Sequence, residues 1–173
     1  MGAPSDSRGA VIWRVVAGTA ITTTILGLAA AGLAEPLIFP SLGPTIFLLL
    51  FLPLNVMSAP RNVIAGHGIG MASGYLALVL FGLLWTPPDL FDLSLTRVGA
   101  IVFALCLAFT LMIWWGVPHA PAAATALIVA LGILRTPLDL AVMMSAVVTV
   151  VLCSFAVNRI ARIPAPVWSP PKA

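Results

Sequence analysis

The sequence predicts an all-α fold: a polytopic membrane helix bundle with two similar halves, four long spans and two short segments that can be re-entrant. Three observations predict it. Of 173 residues, 61% are hydrophobic and only 8% charged, against about 25% charged in a soluble domain. Apolar stretches of span length recur along the chain, separated by proline, glycine and single charges. Two further apolar stretches are too short to cross a bilayer as one helix. The formal charge of +3 does not indicate nucleic-acid binding. The bases stand singly or in pairs between apolar stretches, which is the pattern of topology signals at membrane edges.

Taken in order, residues 1–10 are polar and small and are expected to be a disordered cytoplasmic N-terminus. The membrane domain runs over residues 11–160, with halves at about 11–85 and 97–157. The first stretch, 11–34, follows Arg8 and Arg14 and resembles a signal peptide, but its apolar run is too long for one, so it reads as a retained span. The second, 42–57, opens with Ser41-Leu42-Gly43-Pro44-Thr45 and meets Pro53 soon after. The third is 62–85 and the fourth 97–116. The fifth, 120–134, opens with His119-Ala120-Pro121 and ends between Gly132 and Arg135; the sixth is 138–157, with Asp139 in its first turn. Thr86 to Thr96, with Pro87, Pro88, Asp89 and Asp92, is the linker between halves. From Ala161 the chain holds four prolines and cannot continue a helix. This Pro-rich tail, 161–173, carries Trp168, either at the headgroup level or simply exposed.

Long, short, long in the first half becomes long, short, long in the second. Phe39-Pro40-Ser41 precedes one short segment and Val117-Pro118-His119 the other. Pro44 and Pro121 suit a first helical turn. Counting bases places both termini in the cytoplasm whether the short segments cross or turn back. Only the side of the linker distinguishes the two topologies.

Polar groups at membrane depth are the default functional candidates. They gather beside the short segments: Arg61, Asn62 and His67 in one cluster, His119, Pro121 and Thr125 in the other. Paired short helices whose N-termini face one another suit a small anion, because those ends carry positive partial charge and unpaired N–H groups. Ser41, Gly43, Pro44 and Thr45 would form one such end, and Pro121 and Thr125 the other. Ser41, Thr45 and Thr125 would add hydroxyls; Arg61, His67 or His119 would add positive charge. No carboxylate lies in either cluster, which disfavours a cation site. Each residue also has a structural reading: Arg61 as an anchor, Asn62 as an N-cap of the third helix, His67 as a neighbour's hydrogen-bond partner, Arg135 as an interface anchor. Gly66, Gly70 and Gly74 form a small-residue face for close helix packing. Cys106 and Cys153 read as packing residues. No cofactor, metal site, nucleophile–base pair or dinucleotide loop is expected.

At these clusters the chain resembles the HPP family of small membrane proteins, named for a His-Pro-Pro motif that opens a short apolar helix. Here that motif reads His119-Ala120-Pro121, followed by Ala124-Thr125-Ala126-Leu127. Pro60-Arg61-Asn62-Val63-Ile64 with Gly66-His67 is similar to the family's other shared stretch. The resemblance covers roughly residues 11–157, with Ala120 in place of the first motif proline. It implies a membrane transporter, since family members in cyanobacteria and chloroplasts are associated with nitrite transport. The expectation is therefore a transporter or channel for a small inorganic anion, nitrite foremost, in the lipid bilayer of a bacterial inner membrane, in a small bundle suited to homo-oligomers. The alternatives are a pore for a neutral solute or nitrous acid, and a non-transporting scaffold subunit.

Overall fold

The computed structural model describes residues 7–88 and 90–170. Six α-helices account for most of it: α1 (Arg8–Leu33), α2 (Leu42–Phe51), α3 (Pro60–Leu80), α4 (Leu95–Trp114), α5 (Ala122–Ala130) and α6 (Pro137–Ile160). Among the described residues there is no strand. α1, α3, α4 and α6 are long and apolar enough to span a membrane, whereas α2 and α5 have only 10 and 9 residues. At 1.5 Å per residue, each short helix reaches about 15 Å.

The helix ends follow local chemistry. Ser7 caps α1 by accepting the Ala10 N–H, so the helix begins at Arg8, before the expected residue 11. Residues 1–6 of the expected disordered terminus lie outside the described residues. Ser94 caps α4, and Thr136 and Asp139 form a reciprocal capping box on α6. Proline opens both α3 and α6, where its missing N–H costs nothing. Asn62 is not the N-cap of α3. That position is Ala59, and Asn62 instead lies inside the first turn and donates from Nδ2 to the Val56 carbonyl at 2.8 Å.

Packing fixes the path of the chain. Gly18 of α1 faces Leu50 of α2 and Val157 of α6. α2 and α6 therefore both end near the pole of the bundle where α1 begins. α3 begins at that pole too: Ser58 Oγ bonds the Leu48 carbonyl at 3.1 Å, and the Arg61 N–H donates to the Trp168 carbonyl at 3.0 Å. At the opposite pole, Gly99 of α4 faces Phe81, just past α3. α5 runs alongside α3 in the same direction, because Gly66 faces His119 and Ala122, Gly70 faces Ala122 and Ala126, and Gly74 faces Ala126 and Val129. The two short helices thus start at one height and run to opposite poles. Irregular legs, Pro36–Phe39 and Val117–His119, lead into them. Neither segment turns back to the pole it came from, so the re-entrant alternative does not hold, and the described linker residues between α3 and α4, 86–88 and 90–94, lie opposite the described ends of the chain.

The five tryptophans, Trp13, Trp85, Trp114, Trp115 and Trp168, are all exposed and all lie toward one pole or the other. That is the distribution of an aromatic belt at two interfaces. The faces between the belts carry exposed Ile21, Ile25, Leu28, Val102 and Phe109, as lipid contact requires. In lipid, helix association relies on packing and hydrogen bonds rather than on apolar burial, so small residues matter more than large ones. The glycine face of α3 acts in this way. A Cβ on Gly70 would lie 2.6 Å from the Ala122 carbonyl oxygen, and one on Gly74 2.8 Å from that of Ala126.

Arg97 is the buried guanidinium. Its Nη1 reaches the Ala130 carbonyl at 3.4 Å, at the negative end of α5, and Nη2 reaches the Thr86 and Pro87 carbonyls at 3.3 and 3.1 Å. Gly132, at φ +82°, leaves room for the guanidinium beside the turn after α5: a Cβ there would lie 3.0 Å from Nη1.

A buried histidine–threonine cluster where the short helices begin

The start of each short helix delivers a threonine one turn in: Thr45 on α2 and Thr125 on α5. Both helices are entered by the same turn, in which the N–H of Leu42 donates to the Phe39 carbonyl and that of Ala122 to the His119 carbonyl, both at 3.0 Å. Position by position, then, Thr45 corresponds to Thr125 and Phe39 to His119. Pairing Phe39-Pro40-Ser41 with Val117-Pro118-His119 from sequence is out by two residues.

His67 projects from α3 between the threonines. Its Nδ1 lies 2.7 Å from Thr125 Oγ1 and its Nε2 3.0 Å from Thr45 Oγ1. His119, just before α5, places Nε2 3.2 Å from the same Thr45 oxygen and Nδ1 2.8 Å from the Met57 carbonyl. The imidazole centroids are 4.9 Å apart at 55°. Thr45 Oγ1 also lies 2.9 Å from the carbonyl of Ser41. All four side chains are buried. Gly66 makes room for the arrangement: a Cβ there would sit 2.7 Å from that of His119.

The other expected site residues divide. Ser41 is buried beside this cluster with its hydroxyl unpaired, and it makes no side-chain cap to α2. Pro121 is buried and stands immediately before α5, while Gly43 and Pro44 lie in the first turn of α2 but are exposed. Arg61 and Asn62 belong elsewhere. Five or six residues from His67 on one helix means about 7.5–9 Å along the axis and a different face, and Arg61 meets the tail through its backbone. The expected cage of free N–H groups is also only partly present. In α5 the N–H groups of Ala122, Ala123 and Ala124 are taken by the carbonyls of His119, Ala120 and Pro121. What α5 offers is the positive pole of its dipole and the Thr125 hydroxyl, not unpaired amides.

Two cavities flank the cluster. One of about 190 Å³ is lined by Met57, Phe109, Met112, Pro118 and His119, and the imidazole is its polar side chain. Another, of about 370 Å³, lies between α1 and the start of α2, with Thr19, Thr23, Phe39 and Gly43 in its wall. Sequence reasoning missed Arg97, which looked like a topology charge, and the Met57 carbonyl, which as a backbone acceptor has no signature in residue types.

Spans, belts, opposed half-helices and a buried polar cluster together define an integral membrane protein of transporter-like build. The family model described as HPP, transmembrane region, matches residues 4–166, and the chain belongs to that family. No curated protein and no solved structure matches it.

Proposed function

We propose that the protein conducts or carries a small inorganic anion, nitrite foremost, across the membrane through the site between the starts of α2 and α5. The observation that carries this reading is the meeting of two helix N-terminal turns on one pair of buried imidazoles. Thr45 of one short helix and Thr125 of the other both reach His67. Two positive dipole ends converge there, among groups that donate hydrogen bonds or take up a proton. No carboxylate is hydrogen-bonded to the cluster. A midplane site built on interrupted segments is the usual arrangement of secondary transporters, and the recurrence of long, short, long in opposite directions is consistent with an inverted repeat. Nitrite is favoured over other small anions by what the family resemblance implies.

The orientation follows from charge. Arg8, Arg14, Arg61, Arg159 and Arg162 lie toward the pole where α1 and α3 begin and α6 ends, and Arg97 and Arg135 toward the other. By the excess of bases on the inner side, that pole faces the cytoplasm, in a bacterial inner membrane on this reading. A single cysteine at Asp92 should then react with an impermeant thiol reagent from outside.

The test is flux into proteoliposomes at fixed pH. Nitrite uptake should exceed that of protein-free vesicles and fall roughly tenfold or more in His119→Ala, which removes the buried imidazole and the donor to the Met57 carbonyl. Uptake equal to that of protein-free vesicles for nitrite, nitrate, formate and chloride alike would remove the transport reading. A scaffold role would be supported instead by a stoichiometric partner on purification.

A further inference from the structure

The cluster admits very few arrangements of its protons, and counting them leads to a specific mechanism. The Met57 carbonyl only accepts, so the 2.8 Å contact requires a proton on His119 Nδ1. Thr45 has one hydroxyl proton and two acceptors within reach besides His67: the Ser41 carbonyl at 2.9 Å and His119 Nε2 at 3.2 Å. When His119 is neutral, Nε2 is bare, and it is paired only when it accepts from Thr45. The neutral network therefore runs one way: Thr125 O–H to His67 Nδ1, His67 Nε2–H to Thr45, Thr45 O–H to His119 Nε2, and His119 Nδ1–H to the Met57 carbonyl. When His119 holds a second proton, on Nε2, that N–H donates to Thr45 Oγ1. The threonine proton then turns to the Ser41 carbonyl, and every heavy-atom contact is kept. The two arrangements differ by one proton and one hydroxyl rotation.

We propose that this pair of states couples transport to protons: His119 takes up one proton for each anion bound, Thr45 switches with it, and the protein carries the two together without net charge. The proposal rests on the anion reading above and deepens it. The balance is simple. One proton leaves hydronium, or the acid form of the anion, by cleavage of its O–H bond and adds to the lone pair of His119 Nε2; the O–H electron pair stays on the water, or on the anion, that is left. The resulting +1 offsets the −1 of the anion. Binding of either favours the other by linkage. The cavity of about 190 Å³ lies against the buried His119 ring, on the side of Met112 and Pro118. Few other charges compete. α2 contributes Thr45 and α5 Thr125. The charges of α4 and α6 that are closest to their helix ends, Arg97, Asp139 and Arg159, stand at the poles, as does Arg61 on α3.

The experiment uses the full-length protein in sealed proteoliposomes with a trapped pH dye, the membrane potential being clamped by potassium and valinomycin. A nitrite gradient should drive proton movement into the vesicle with nitrite, at one proton per anion, above the rate in protein-free vesicles, and the flux should not respond to the imposed potential. Thr45→Val, nearly isosteric, should lower the coupled flux roughly tenfold, while Thr45→Ser, which keeps the rotor, should restore most of it. Thr149→Val, whose hydroxyl bonds the Ser145 carbonyl of its own helix outside the network, should leave it unchanged. Nitrite movement that carries current and no protons would overturn the coupling and leave the anion reading standing. An unimpaired, still electroneutral Thr45→Val protein would overturn the switch. Absence of any protein-dependent nitrite movement would overturn both readings.

Discussion

The two sides of the bundle meet their short helices in different ways. α3 meets α5 by backbone: glycines at 66, 70 and 74 let the Ala122 and Ala126 carbonyls come where a Cβ would stand. α6 has no glycine, and it meets α2 through side chains, with Asn158 reaching the Leu49 carbonyl at 2.9 Å. The unpaired polar groups do not follow the same division: Thr22, Ser41, Ser154 and Asn158, on or beside α1, α2 and α6, each keep a buried oxygen without a partner, and so do Asn62 and Ser73 on α3, while the end of α5 supplies a carbonyl that Arg97 gathers. Buried polar groups are otherwise nearly always paired, by water if not by protein. The difference teaches a division of labour. One side holds its short helix by close backbone contact beside the histidines, and the other by side-chain contacts that can give.

That contrast can be broken in graded ways. The largest effect is expected for Gly70→Ala, because the opposing atom is a carbonyl oxygen that cannot step aside. Thermal unfolding in detergent should show a loss at the upper end of roughly 1–3 kcal/mol. Gly18→Ala on the other side meets the Cδ1 end of Leu50, a flexible side chain, and should cost less than about 1 kcal/mol. Equal losses would mean that the two sides are equally tight. Arg97→Met should cost roughly 1–3 kcal/mol by leaving three carbonyls without their donor, and should raise hydrogen exchange at the end of α5 before that of α2. Asn158→Leu removes a 2.9 Å bond to the Leu49 carbonyl together with an unpaired oxygen. The two changes oppose each other, so stability should move by no more than about 1 kcal/mol. Smallest of all is Thr22→Val, which removes an oxygen with no partner and should leave the melting temperature unchanged or slightly higher. If water or anion uses that oxygen, flux falls while stability does not.

Much of this was legible in the sequence. The four spans, the two short segments and the glycine face all follow from apolar run length and small-residue spacing. His67 and His119 stood out because an imidazole at membrane depth needs a partner. Which partner was not legible. Thr45 and His67 are 22 residues apart and Thr45 and His119 74 apart, and no periodicity connects positions on different helices. Arg61 and Asn62 were drawn into the candidate site by proximity in sequence to His67. Helix geometry separates them, since five or six residues change both the height and the face. The first-turn amides of α5 were expected to be free, but a run of small alanines after Pro121 lets the entry turn tighten and consume them.

One contact at the edge of the fold reaches inward. The Trp168 carbonyl, well past the last helix, is the acceptor for an otherwise unpaired amide in the first turn of α3, and His67 rides less than two turns above it. The segment after α6 is thus a handle on the imidazole. Pulling it away, or holding it down with a bound or fused neighbour, would loosen or stiffen the root of the helix that sets the height of the ring.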